Sequence, residues 1–124
     1  KKNNKSSIIN ISSIYGSEAP KLEMYKGTDI NNPAAYSISK AGLNYMTKWL
    51  AVNLAPNIRV NSISPGGIIR GQSKKFIKQY SEKTLLNRMA SEEDIIGSII
   101  FLSTSMSSYV TGQNIIVDGG WSIK

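Results

Sequence analysis

Histidine and cysteine are both absent from the 124 residues. Without cysteine there is no disulfide and no thiolate chemistry. Without imidazole, the serine–histidine and cysteine–histidine nucleophile systems and the usual histidine metal sites are excluded, and no metal site is expected. Any proton chemistry must fall to Tyr, Lys, Asp or Glu. No apolar run is long enough to cross a bilayer, and no signal-peptide pattern is visible. Together with the missing cysteine this fits a reducing, cytoplasmic setting, with no membrane partner.

Acidic residues are also scarce, 8 against 15 Lys and Arg, for a net charge of +7. The basic residues are scattered, with one denser group at Arg70, Lys74, Lys75 and Lys78. A solvated face is the plain reading. A basic anion- or nucleic-acid-binding module would need a basic stripe interleaved with exposed aromatics on a recognisable scaffold. None is visible, and no nucleic-acid partner is expected.

The length allows one domain at most. The polar stretch Lys1-Lys2-Asn3-Asn4-Lys5 reads as a turn leading into a strand over 6–12, where Ile8, Ile9 and Ile11 form a β-branched run. Ser12 and Ser13 end that strand. In open α/β sheets the carboxyl ends of strands are where ligands bind. Ser13 could therefore donate to a substrate oxygen, or simply satisfy loop backbone. A connection over 15–33, rich in Gly, Pro, Asn and Asp, follows; Leu22, Met24 and Tyr25 give it apolar contacts with which to fold over a site. Pro33 suits the first turn of the next helix.

That helix runs from near Tyr36 to about Leu54. Tyr36 and Lys40 are one turn apart and share a face. A phenol ordinarily ionises at about 10, and an ammonium held beside it favours the phenolate. Such a pair can exchange a proton with an alcohol or a carbonyl, although the same spacing arises by chance in surface helices. The stripe continues through Leu43, Thr47, Leu50 and Leu54, so the polar pair heads a face turned to a core. A second apolar stripe, Ile38, Ala41, Tyr45, Trp49 and Val52, lies roughly opposite. A helix apolar on two sides is expected to be buried on both, by its own sheet and by another helix, such as one from a second copy.

A strand over 58–64 follows, closed by Ser64-Pro65-Gly66-Gly67-Ile68, where the glycines let backbone approach a ligand closely. The stretch 72–87 reads as a short amphipathic helix or mobile lid, with Phe76 and Tyr80 at helical spacing. Ser91-Glu92-Glu93-Asp94 starts another helix in the manner of a capping box. Ile95, Ile99, Leu102 and Met106 are expected on one face of it, with Ile96 and Ile100 beside them. A turn at 109–113, a buried strand over 114–118, and Gly119-Gly120-Trp121 closing the sheet edge complete the chain. Alternating strands and helices with long crossovers give an α/β fold with a parallel sheet of about three strands and two to three helices.

Four motifs then coincide in order: Ile8-Ile9-Asn10-Ile11-Ser12-Ser13; Tyr36-Ser37-Ile38-Ser39-Lys40-Ala41-Gly42; Ile58-Arg59-Val60-Asn61-Ser62-Ile63-Ser64-Pro65-Gly66; and Tyr109-Val110-Thr111-Gly112-Gln113 through Val117-Asp118-Gly119-Gly120. Over 6–121 the chain resembles the carboxyl-terminal half of a short-chain dehydrogenase/reductase, a Rossmann-like doubly wound fold. The resemblance implies an NAD- or NADP-dependent oxidoreductase acting on a small molecule. Tyr36 would be its acid/base. Lys40 would assist it and hold the nicotinamide ribose, and Ser13 would position the substrate. Pro65, Gly66 and Ile68 match the segment whose backbone contacts the nicotinamide. The family's glycine-rich phosphate loop, its selector for the ribose 2′ position and its catalytic asparagine belong to stretches that precede the matched region. Arg70 and Gly71 stand where a threonine often follows Pro-Gly. The Ser13–Tyr36 spacing is longer than usual and resembles a subgroup linked to bacterial surface-sugar and flagellin modification. That implies a sugar or nucleotide-sugar substrate, with Arg70 and its neighbouring lysines available to a phosphate. The resemblance further implies a homodimer or homotetramer built through the 36–54 helix. The alternative for a half-length chain is an inactive fragment that cannot hold a dinucleotide.

Overall fold

The structure is a computed structural model that describes residues 6–124; the polar turn expected over 1–5 lies outside the described residues. Three strands, β1 Ser6–Ile11, β2 Ile58–Pro65 and β3 Asn114–Val117, form one parallel sheet in the order β1-β2-β3. Asn10 stands opposite Ser62 and Ile11 opposite Ile63, while Ser64 pairs with Ile116. Helix α1, Ala34–Leu54, lies in the first crossover; α2, Lys74–Ser81, and α3, Glu93–Ser103, lie in the second.

The two helical layers take opposite faces, and the alternation of β2 shows why. Ile63 packs with Ile9 of β1 and with Ile95 and Leu102 of α3. Asn10 and Ser62, one step along, point the other way, and Asn10 Nδ2 donates to Thr47 Oγ1 of α1 at 2.9 Å. Small residues Ser62 and Ser64 therefore lie beneath α1, each donating its hydroxyl to Asn114 Oδ1, at 3.0 and 2.8 Å. A strand covered on both faces is buried along nearly its whole length, as β2 is from Arg59 to Pro65. The architecture is that of a truncated Rossmann-like sheet wound on both sides.

Arg59 and Asn61 carry polar groups into this interior. Arg59 is 7% exposed. Its guanidinium donates to Leu102 O at 3.0 Å, Thr104 O at 3.1 Å and Ser107 Oγ at 2.8 Å. It thus satisfies carbonyls at the carboxyl end of α3, where the helix dipole favours a cation. Asn61 bridges the chain before β3, donating to Val110 O at 2.9 Å and accepting from Gln113 N at 3.0 Å.

Several expectations change. Along α1 the stripe of Leu43, Thr47, Leu50 and Leu54 does turn to the sheet, with Thr47 buried. The opposite stripe is open: Ile38, Tyr45, Trp49 and Val52 are 70, 71, 56 and 80% exposed. Burial on both sides is not reached within this chain, because no described element lies outside α1 to cover it. Pro33 is the N-cap of α1 rather than a first-turn residue. Leu22 is exposed while Met24 is buried: 3-10 turns form at Ile14–Gly16 and Leu22–Tyr25, and the second directs Met24 inward. Helix α3 ends at Ser103, before Met106. Met106 and Ile99 are exposed, and only Ile95 and Leu102 of the predicted face are buried. Asp94 starts α3 by accepting from Ser91 N at 2.8 Å and from Ser91 Oγ at 3.2 Å, half of the expected capping box. Trp121 does not close the sheet edge. It is buried against Ile14, Met24, Phe76, Tyr80 and Met89, because the Asp118 carboxylate accepts from Gly120 N and Ser122 N, both at 2.8 Å, and turns the indole inward.

Candidate active site

The carboxyl ends of β1 and β2 and the amino-terminal half of α1 enclose a cleft of about 550 Å³. Ser13, Tyr36, Lys40, Pro65, Gly66 and Ile68 all line it, so residues drawn from three separate stretches of sequence meet at one place. The register of α1 is set from β1: Ser12 Oγ donates to Lys40 O at 3.2 Å, and Lys40 Nζ donates to Ile11 O at 3.0 Å. An ammonium has three donors, so others remain for the cleft. Lys40 Nζ lies 5.7 Å from the centre of the Tyr36 ring, as one helical turn requires. Tyr36 is 40% exposed. Ser13 Oγ accepts from Tyr15 N at 3.2 Å, which fixes the hydroxyl and leaves its proton free. The serine caps the local turn, and its own O–H is not used in that bond.

The Pro65–Ile68 segment is held from behind. Gly67 N donates to Tyr80 Oη, Ala90 N donates to Gly67 O at 2.9 Å and Ile69 N to Ala90 O at 2.9 Å. A Cβ on Gly67 would fall 2.7 Å from Tyr80 Cζ, and one on Gly66 would fall 2.9 Å from Asp118 Cα. The glycines are therefore demanded by packing against Tyr80 and Asp118. Burial pushes the Asp118 carboxyl up, but hydrogen bonds from Ser122 and Gly120 outweigh it and hold the group below the usual range.

The far wall comes from the two segments expected to cover a site, the 15–33 connection and the 72–87 stretch. Tyr15, Tyr25, Gln72, Phe76 and Tyr80 line it. Phe76 and Tyr80 were legible as a helical pair; nothing in the spacing of Tyr15 and Tyr25 joins them. Their hydroxyls meet at 2.6 Å. Burial, first, and then the Tyr25 hydrogen bond push the Tyr15 phenol well above the ordinary range. Burial also raises Tyr25 and lifts Tyr80 to about 12. Of the basic group, Arg70 pairs with Glu92 at 3.0 Å on the surface. No group of three or more His, Cys, Asp or Glu able to hold a metal occurs among the described residues, and no described helix is long and apolar enough to cross a membrane.

A sheet wound on both faces, with its cleft at the strand ends, defines an α/β protein of the Rossmann-like class. A family model described as enoyl-(acyl carrier protein) reductase matches residues 1–122, and the chain belongs to the short-chain dehydrogenase/reductase family. It is 42% identical to post-translational flagellin modification protein A of Campylobacter coli, over 99% of this chain and 48% of that protein. It is 40% identical to a D-arabinitol 2-dehydrogenase (ribulose-forming) of Candida albicans, over 77% of this chain and 38% of that one. The crystal structure of a short-chain dehydrogenase from Leptospira borgpetersenii with bound NAD+ superposes with a TM-score of 0.90 at 46% identity, covering 98% of this chain and 46% of that one. The chain thus spans about half the length of the relatives it matches.

Proposed function

We propose that this chain is the carboxyl-terminal half of an NAD- or NADP-dependent oxidoreductase interconverting an alcohol and a carbonyl, with a sugar or nucleotide sugar as the substrate class. What supports this reading above all is that Ser13, Tyr36, Lys40 and the 65–68 segment share one cleft at the strand ends where open α/β sheets take ligands. The cleft suits the nicotinamide end of a dinucleotide. Apolar Ile11, Pro65 and Ile68 stand beside an ammonium that has donors left for a ribose. The cofactor, when bound, supplies the hydride acceptor or donor. This chain's residues move the proton and place the substrate. Ser13 donates to the substrate oxygen. Tyr36 takes the hydroxyl proton in oxidation and returns it in reduction, while Lys40 keeps a positive charge beside it.

The exposed stripe Ile38, Tyr45, Trp49 and Val52 supports assembly of copies, as a dimer or tetramer, through α1. A cytoplasmic location goes with the reading. A second reading, an inactive fragment, draws on the half-length match and on β1 pairing with β2 alone among the described residues. In the full-length protein, Tyr36→Phe should lower turnover by about 10³-fold or more while cofactor affinity, by calorimetry, stays within about threefold. Turnover that survives the substitution removes Tyr36 from its role.

A further inference from the structure

The far wall of the cleft has a polar feature that the proton chemistry does not use. Tyr15 follows β1 in the first 3-10 turn and Tyr25 ends the second, yet their hydroxyls are hydrogen-bonded at 2.6 Å. Both rings are held. Tyr15 stands edge-on to Trp121, with centroids 5.6 Å apart and planes at 81°. Tyr25 packs on Phe76 at 5.7 Å. Its neighbour Met24 is fully buried, with the Trp121 indole N–H directed at its sulfur, 3.3 Å away. Glu23, one residue further back, pairs with Lys83 at 3.0 Å. The wall is therefore preset rather than a lid that must close.

Two phenols bring two protons. Their mutual bond uses one, and neither hydroxyl has another partner among the described residues. One O–H donor and free lone pairs remain, on rings that line the same cleft as Ser13 and Tyr36. Burial keeps both phenols protonated, and the neighbouring Tyr36 reinforces this in each. A neutral donor–acceptor pair set among aromatic rings matches a neutral hydroxyl, which also donates and accepts. It offers no cation to a carboxylate or a phosphate.

We propose that the Tyr15–Tyr25 hydroxyl pair is a specificity element that binds a second hydroxyl of the substrate, so that the enzyme takes polyols in preference to simple alcohols. This rests on the oxidoreductase reading for the position of the reacting hydroxyl, at Ser13 and Tyr36. A site built to hydrogen-bond a hydroxyl discriminates strongly against the analogue that lacks it, because its own polar groups are then left unpaired.

The test uses the full-length protein with NAD+ present and two probes, cis-1,2-cyclohexanediol and cyclohexanol. Affinities are read by NMR titration of the Trp121 indole N–H, independently of turnover. The diol should bind at least about tenfold more tightly than cyclohexanol, and Tyr15→Phe or Tyr25→Phe should each reduce that ratio to within about twofold of unity. Equal affinities in the unsubstituted protein overturn the proposal even if a variant fails to fold, as does a preference that survives both substitutions. Hydride transfer, followed separately, keeps the two readings apart. A tyrosine-dependent diol preference without turnover supports the pair and refutes the oxidoreductase reading. Turnover with no diol preference does the reverse.

Discussion

At the scale of single residues, the site divides into side chains that face the cleft and side chains that hold them there. Tyr36 and Lys40 could be found by spacing, because one helical turn brings them together whatever lies around them. Ser13 could be found by its place at a strand end. Tyr25 could be placed over the site with its loop, but its pairing with Tyr15 could not, since only the fold of the 15–33 connection joins their hydroxyls. Arg59 escaped for a different reason: in sequence it is one more basic residue, and its burial against α3 carbonyls appears only when strands and helices are assembled. The tyrosines also set an alkaline limit. Tyr15, Tyr25 and Tyr80 are all raised by burial, Tyr80 to about 12. A phenol raised in the folded state stabilises the fold below its ordinary value of about 10, and that contribution is lost as pH climbs from there toward the folded value. Absorbance at 295 nm should therefore show three of the six tyrosines ionising late, with unfolding setting in along that limb. A single titration of all six near 10 contradicts the burial described.

Among the elements, the strands and α1 were legible to within two residues at each end, because β-branched runs and helical stripes report local period directly. What was not legible is which apolar positions end up covered. In α3, Ile95, Ile99, Leu102 and Met106 make a continuous pattern, yet only Ile95 and Leu102 are buried, since the helix stops at Ser103 and the sheet beneath it is narrow. The tie between β2 and the end of α3 runs through Arg59. Replacing it with Met removes the charged donors from Leu102 O, Thr104 O and Ser107 Oγ together, leaving the two carbonyls to the neutral hydroxyls of Ser7 and Ser107 alone. Arg59→Met should cost about 3 kcal/mol in a urea unfolding series. A cost under about 0.5 kcal/mol would mean that the guanidinium contributes little to holding α3.

For the whole molecule, the chain spans about half the length of its relatives, and one side of α1 is bare among the described residues. Assembly through that side makes a solution prediction. Trp49→Glu with Val52→Glu, placed where the side chains are 56 and 80% exposed, should leave the fold intact and convert the full-length oligomer to a smaller species in sedimentation; an unchanged sedimentation coefficient assigns the assembly to another face. The central claim concerns the cleft itself, and a crystal structure of the full-length protein with NAD+ or NADP+ tests it most directly. The nicotinamide ring should lie between the Pro65–Ile68 backbone and Tyr36, with Lys40 on the adjoining ribose. A ring bound outside this cleft, or a Tyr36 hydroxyl turned away from it, contradicts the account.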